Sequence, residues 1–272
     1  MVASLICVRG GSRRLPRKNV RPMCGIPMFC WSVIQSLSSH EVDACFVSTD
    51  DREISDLAEQ YGATVIRRPD WPDANEASGI RPMIHGIRQI MQKHPDFDTV
   101  VTILPTGPLN KPEDFDNAIR LYRQAKCDVV TPLMPLREVQ LYRQISKNKA
   151  RCTVFDKHYK YMGPAVGWCV TSPQWYLWAM EDMESDLDKD IDKKAESADF
   201  NSYVFADTYY MPVEPWQYAD CDTLQEFEMG ELKLEYFILK GRGRTVYDEY
   251  AAQGKKGLEY NIMEHVGNAN QQ

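Results

Sequence analysis

Five positive side chains crowd one short stretch, ICVRGGSRRLPRKN at residues 6–19: Arg9, Arg13, Arg14, Arg17 and Lys18. No carboxylate lies among them, and the first acid of the chain is Glu41. The adjacent Gly10 and Gly11 let backbone N–H groups approach an anion closely. Arginine and lysine supply charge and donors for phosphate oxygens. The whole chain carries a formal charge of −7. A local basic loop in an acidic protein suits a small polyanion, such as a nucleoside triphosphate, better than it suits nucleic acid. Near the other end, Asp220 and Asp222 stand two apart before a helical pattern. Such a pair can aim two carboxylates at one divalent cation. Hard oxygens with few protein ligands suit Mg2+, which keeps several waters and binds substrate phosphates as well. Asp222 can equally be the cap of the helix that follows.

The elements that must position these residues alternate between two periods. Residues 3–8, 44–49, 63–68, 99–105 and 128–134 read as buried strands. Between them, 27–37, 50–62, 78–94 and 111–126 read as helices. Pro27 suits a first helical turn, an Asp caps 50–62 and Gly62 ends it. Residues 165–172 return to strand, 173–183 to helix and 202–213 to strand, and 218–241 is a loop leading into a helix. Repeated β–α alternation predicts a three-layer α/β/α fold with a mostly parallel central sheet. In such sheets ligands bind beyond the carboxyl ends of the strands, which is where the basic loop falls, directly after the first strand. The rhythm breaks at 135–162, a polar and basic excursion that reads as a lid or a dimer arm. Residues 181–199 hold nine acids against three lysines and read as a solvated surface. The expected organisation is one domain over 1–241 and a peripheral tail over 242–272.

Composition excludes several classes. Hydrophobic residues at 43% and charged residues at 26% are ordinary for a globular protein. No apolar run approaches the ~20 residues that span a bilayer. Eight cysteines are scattered, never as CxxC, and several lie inside apolar runs. That is the pattern of buried thiols in a reducing, cytoplasmic setting and not of a disulfide scaffold or zinc site. The glycine spacing matches neither GxGxxG nor GxxxxGK[ST], which argues against a dinucleotide dehydrogenase or a P-loop NTPase.

The stretch RGGSRRLPRKNVRPMCGIPMFCW resembles the signature of the cytidylyltransferases that activate nine-carbon sugar acids, the CMP-sialic acid synthetase family, whose usual form is R-G-G-S-K-G-L-P-x-K-N followed by G-x-P. The resemblance continues in FVSTDDREISDLAEQYGATVIRRP (46–69), ILPTGPLNKPEDF (103–115) and ADCDT (219–223). It covers residues 3–135 well and 163–240 loosely. It implies a Rossmann-like nucleotidyltransferase fold and transfer of CMP from CTP to a sugar-acid hydroxyl, with pyrophosphate leaving. Carried over residue by residue, Arg9, Gly10, Gly11, Ser12 and Arg13 hold the triphosphate, with Arg13 in the place of a lysine. Lys18 matches the lysine that neutralises the phosphates, and Asn19 its neighbour. Arg9, Arg13 and Lys18 are thereby the expected catalytic cations. Ser78, Pro105 and Thr106 fall on the nucleotide side, and Asp220 and Asp222 match the family's Mg2+-binding pair. The family's dimerisation through an excursion at the position of 135–162 implies a homodimer.

Departures cluster on the acceptor side. The family's Gln-Pro-Thr-Ser-Pro-Leu-Arg is here Leu104-Pro105-Thr106-Gly107-Pro108-Leu109-Asn110. Its serine pair becomes Ser78-Gly79, and its Arg-x-Asn-Gly becomes Gly163-Pro164-Ala165-Val166. Arg14 replaces a glycine. Leu104 can neither donate nor accept a hydrogen bond. The expectation is a cytidylyltransferase whose anionic acceptor is another nonulosonate, a shorter keto-sugar acid or a phosphonate. The alternatives are a relative using another nucleoside triphosphate, and one that binds a nucleotide without turnover. Trp168 is expected in the core.

Overall fold

The structure, a computed structural model, describes residues 1–12, 14–69, 71, 80–136, 139–146, 149–156, 161–165, 167–187 and 206–239. Arg13, Ser78, Gly79 and the tail over 242–272 therefore lie outside the described residues. So do 188–200, most of the acidic run's second half, and 201–205 at the start of the expected strand over 202–213.

The first half follows the sequence pattern closely. Strand β1 (Val2–Cys7) leads through the basic loop to a two-stranded ribbon, β2 (Pro22–Met23) and β3 (Ile26–Pro27), and then to helix α1 (Met28–Leu37). Strand β4 (Ala44–Thr49), helix α2 (Arg52–Gln60), β5 (Thr64–Arg67), α3 (Ile80–Lys93), β6 (Thr99–Ile103) and α4 (Pro112–Ala125) follow in order. Asp51 caps α2, its side chain accepting from the Ile54 N–H at 3.1 Å. The β2–β3 turn places Cys24 and Gly25 at φ 49° and 82°. Positive φ at both central residues matches the twist of a tight hairpin. With only two residues per strand, its alternation is too short to read from sequence. Pro27 ends β3 as the residue before α1, one position earlier than expected.

The second half holds more strand than expected. Strands β7 (Val129–Leu136), β8 (Val139–Ser146), β9 (Lys149–Asp156) and β10 (Tyr161–Pro164) are consecutive, so the excursion is a β structure. β8 and β9 pair only with each other, antiparallel, as a separate two-stranded sheet. Register shifts between Leu141 and Tyr142 and between Gln144 and Ser146 interrupt the pairing, and such irregularities blur the two-residue period. Strand β11 (Trp168–Thr171), helix α5 (Pro173–Leu187), β12 (Thr208–Pro212) and helix α6 (Leu224–Lys233) complete the described chain, α6 ending in a π-helical turn over Leu234–Leu239.

The main sheet has the order β10-β7-β11-β6-β1-β4-β5, with β12 also pairing β7. β1, β4, β5 and β6 run parallel, as do β7 and β12, while β11 is antiparallel to both β6 and β7 and β10 is antiparallel to β7. The sheet is thus mostly parallel, with helices on both faces. β1 shows why both faces must be covered. Val2 and Ile6 join the apolar layer beneath α1, α2, α4 and α6, whereas Ala3 and Leu5 join the layer beneath α3 and α5. Trp168 is in the core at 6% exposure, its ring edge-on to Phe115 at 5.5 Å. The chain leaves β1 for β4 and β5 on one side and returns to β6 on the other. The strand order therefore reverses at β1/β6, and the crevice beyond those strand ends is the place for a ligand.

α1 is buried on nearly every side and buttresses that crevice from below. Its buried Trp31 Nε1 donates to the Met23 carbonyl at 2.9 Å, fixing the β2–β3 ribbon. Gln35 Nε2 donates to the Pro108 carbonyl at 2.5 Å, and Ser32 Oγ to the Leu104 carbonyl at 3.5 Å. One helix thus anchors both the ribbon after the basic loop and the loop after β6.

Candidate active site

The loop after β1 is held by its own backbone and by α2. Val8 N–H donates to the Ser48 carbonyl at 2.9 Å, extending β1 past its last ladder residue. Asn19 Nδ2 donates to the Arg9 carbonyl at 3.0 Å and closes the loop. A 3₁₀ turn over Lys18–Val20 follows Arg17, whose φ of 56° lies in the left-handed region. Gly10 lies flat against Asp51: a Cβ on Gly10 would stand 2.2 Å from Asp51 Oδ2. Any other residue type there would displace the Asp51 side chain. Ser12 Oγ and Asn19 Oδ1 are buried without a hydrogen-bond partner among the described residues. The Ser12 hydroxyl is thereby a donor that an anion on this loop could take up.

Lys18 is only 9% exposed. Its Nζ pairs with Asp222 Oδ1, and Arg14 pairs with Asp222 Oδ2. The loop after the first strand and the Asp-x-Asp loop, 204 positions apart, therefore meet. Burial pushes the Asp222 carboxyl up, but the Lys18 hydrogen bond and charge, joined by Arg14 and Arg9, outweigh it and hold the carboxyl below its ordinary value. The helix-cap reading of Asp222 fails. Thr223 caps α6, accepting from the Glu226 N–H at 3.3 Å, while Glu226 accepts from the Thr223 N–H at 2.8 Å. The Asp222 side chain is thereby left to the cations.

Cys221, between the two aspartates, is fully buried, and its N–H donates to the Thr106 carbonyl at 3.1 Å. Burial, then the Asp220 charge, pushes its thiol up to about 12. That peptide hydrogen bond ties the carboxylate loop to the loop after β6. There, Pro105 is buried and Thr106 half-buried. Leu104 is the one exposed residue of 104–110, at 46%, and its N–H donates to the Gly167 carbonyl at 2.6 Å. Asn110 turns inward: its Nδ2 donates to the Gly107 carbonyl at 2.9 Å, and it packs on Gly167, where a Cβ would stand 3.1 Å from Asn110 Oδ1. Gly167, at φ 139°, adopts a backbone conformation that glycine favours.

The structure thus joins three loops: Lys18 meets Asp222, Asn19 holds the Arg9 carbonyl, and Cys221 between Asp220 and Asp222 holds the Thr106 carbonyl, with Gly10, Gly11, Ser12 and Pro105 in the same loops. Arg17 instead pairs with Asp51 and Glu53 at the start of α2. Sequence reading missed that pair, because Asp51 shows there only as a helix cap. It also passed over Arg68, just beyond the end of β5. Arg68 Nε donates to Ser48 Oγ at 3.1 Å and its Nη2 to the Ser48 carbonyl at 2.7 Å. Burial pushes the neighbouring Cys7 thiol up to about 11, against the Arg68 charge. Burial and Arg68 both lower the pKa of His85, whose ring stands edge-on to Trp71 at 5.7 Å. The signal was an arginine directly after a short strand, within RRP.

For Mg2+, the donor set is partial. Asp220 and Asp222 are hard oxygen ligands in one loop, but both Asp222 oxygens are engaged by cations. Among the described residues no cluster of three or more His, Cys, Asp or Glu is placed to hold a metal. Two carboxylates fall short of a protein cage, and Mg2+ held by so few protein oxygens takes its remaining ligands from water and phosphate.

A three-layer sheet with a cationic loop and paired acids at its switch point places the chain among the Rossmann-like nucleotidyltransferase folds. Two solved structures share that fold. One is CMP:2-keto-3-deoxy-manno-octonic acid synthetase complexed with CTP, with a TM-score of 0.60 at 18% identity over 85% of this chain and 97% of that one. The other is the 4-diphosphocytidyl-2C-methyl-D-erythritol synthase of Anaerococcus prevotii, with a TM-score of 0.57 at 12% identity over 86% and 96%. Within that class, a cytidylyltransferase family model matches residues 3–162, more than half of the chain, and the chain belongs to the cytidylyltransferase family.

Its curated relatives include the CMP-N,N'-diacetyllegionaminic acid synthase of Legionella pneumophila, 32% identical over 134 residues, 48% of this chain and 56% of that protein. The N-acylneuraminate cytidylyltransferase A of Danio rerio is 30% identical over 129 residues, 47% and 29% of the two chains. The pseudaminic acid cytidylyltransferase of Campylobacter jejuni is 27% identical over 159 residues, 57% and 68%. The chain spans about half the length of the Legionella relative and less of the fish one. No helix among the described residues is long and apolar enough to cross a membrane.

Proposed function

We propose that this protein transfers CMP from CTP to the hydroxyl of an anionic keto-sugar acid of the nonulosonate type and releases pyrophosphate. The observation that carries the reading is the buried Lys18 meeting Asp222 at the end of β1. In this reaction the acceptor hydroxyl loses its proton to solvent as its oxygen bonds the α-phosphorus, and the bond from that phosphorus to the β-phosphate oxygen breaks, releasing pyrophosphate. Such a transfer needs charge neutralisation and alignment above all. Arg9, Arg13 and Lys18 supply the charge, and the N–H groups of Gly10 and Gly11 and the Ser12 hydroxyl, buried without a partner among the described residues, supply short donors. An incoming triphosphate competes with Asp222 for Lys18 and Arg14. Asp222, so released, would hold Mg2+ together with Asp220, and the ion would neutralise phosphate charge and polarise the phosphorus.

The acceptor side follows from the loop after β6. With Asn110 locked inward, Leu104 and Thr106 are what 104–110 offers a sugar. A site of that kind favours an acceptor carrying an apolar group over a fully hydroxylated one. The β8–β9 hairpin finds no further strand partner among the described residues. An isolated two-stranded sheet is marginal in water, which supports a homodimer built through it.

The test is pyrophosphate release over four nucleoside triphosphates, each with Mg2+ and a panel of keto-sugar acids and phosphonates, read by mass spectrometry for the nucleotide adduct. A CMP–sugar acid adduct is the expected product. A phosphonate adduct, another preferred nucleotide, or CTP binding without turnover would each replace this reading. Sedimentation giving only monomer would remove the dimer.

A further inference from the structure

We propose that Asp51 is a positioning residue that sets the aperture of the basic loop from outside the crevice; this rests on the reading that the loop binds a triphosphate. Asp51 touches the loop at both ends. At the start, Gly10 is pressed against its carboxylate so closely that a Cβ would overlap Oδ2 at 2.2 Å. At the far end, the Arg17 guanidinium pairs with Asp51 and with Glu53. Asp51 is itself fixed, because Oδ1 accepts the Ile54 N–H at 3.1 Å in the first turn of α2. One carboxylate on a rigid helix therefore spans the segment from Gly10 to Arg17.

The consequence for Lys18 is geometric. Arg17 and Lys18 are neighbours, yet they serve carboxylates on different elements, Asp51 on α2 and Asp222 before α6. The left-handed backbone at Arg17, φ 56° and ψ 24°, turns the chain between them. That conformation is disfavoured for a residue with a Cβ. The Val20 and Arg21 N–H groups hold the Arg17 carbonyl at 3.2 and 3.1 Å, and the ion pair to Asp51 and Glu53 fixes the side chain. The Arg17 side chain is 43% exposed and Asp51 19%, so the contact is reached by water on one side and braced by the helix on the other. Of the five positive residues in the loop, Arg17 is thereby a strut that aims Lys18, and is not itself a phosphate ligand.

Asp51→Asn keeps an oxygen for the Ile54 N–H and removes the charge that Arg17 needs. Arg17→Gln cuts the same tether from its exposed end, and serves if the first variant folds poorly. CTP affinity is measured by calorimetry with Mg2+, and KM and kcat by pyrophosphate release. Each variant is expected to raise Kd and KM for CTP by about ten-fold, the scale of a small misplacement of a charged ligand. The double variant is expected to be no worse than either single one, because both remove one tether. Arg17→Lys is expected to recover most of the affinity. Unchanged Kd and KM with only a lowered Tm, or additive losses in the double variant, overturn the assignment while leaving the proposed function standing. A wild-type protein that neither binds CTP nor releases pyrophosphate overturns both.

Discussion

The loops that follow the neighbouring parallel strands β1 and β6 are built on opposite principles. The loop after β1 is crowded with charge, and its cations are met by carboxylates from distant elements: Arg17 by Asp51 and Glu53, and Lys18 and Arg14 by Asp222. The loop after β6 is uncharged and buried except at Leu104 and Thr106, with peptide and amide groups engaged through Asn110, Gln35, Gly167 and Cys221. A charged loop can bind any polyanion of suitable size, since Coulomb attraction is weakly directional. An apolar loop with fixed peptide groups discriminates by shape. Under the proposed function, the loop after β1 would set whether chemistry occurs, and the loop after β6 on what.

Lys18→Ala should break that contrast most severely. Removing the buried cation should lower kcat by on the order of 10³-fold with the fold retained by circular dichroism, since one preorganised charge at a phosphoryl centre is worth that much. Wild-type turnover in this variant would end the mechanism. Asp222→Asn should cost less, on the order of 10²-fold, and should raise the Mg2+ concentration needed for half-maximal rate, read by magnesium titration of pyrophosphate release. Leu104→Gln should sharpen the comparison instead. It should leave CTP affinity unchanged and shift the ratio of kcat/KM between an apolar-substituted and a fully hydroxylated acceptor by about ten-fold toward the latter. A fall in both values together would mean that the loop is structural only.

The smallest expected effect concerns acid. Asp222 and Asp51 are both held below the ordinary carboxylate range, Asp51 by the Arg17 hydrogen bond first. A depressed native value means that the contribution to stability is complete above the unfolded value of about 3.9 and is lost as pH falls through the native one. Tm should therefore drop below about pH 4, and less steeply in Asp222→Asn. Equal slopes would show that Asp222 carries none of the acid sensitivity.

Much of this was legible in the sequence because it is local. The buried runs around Leu5, Val47 and Val101 alternate with amphipathic helices, and period alone predicts the layers. The cationic run needs no structure to be noticed. What was not legible depends on where the chain returns. Trp168–Thr171 reads as a strand, but nothing local says that it inserts antiparallel between β6 and β7. Charge counting implies an anionic partner for Lys18, but not that Asp222 fills that role 204 positions later. Asp51 looked like a cap and is one. Its contact with Gly10 arises only when β1 and β4 lie side by side.

One peptide hydrogen bond complicates any attempt to engineer the two sides separately. Because the Cys221 amide is fastened to the Thr106 carbonyl, a shift in the loop after β6 is transmitted to the acids that flank a buried thiol. Variants selected for a new acceptor should then show altered magnesium demand without any change at residue 220 or 222, and the two properties should drift together under selection.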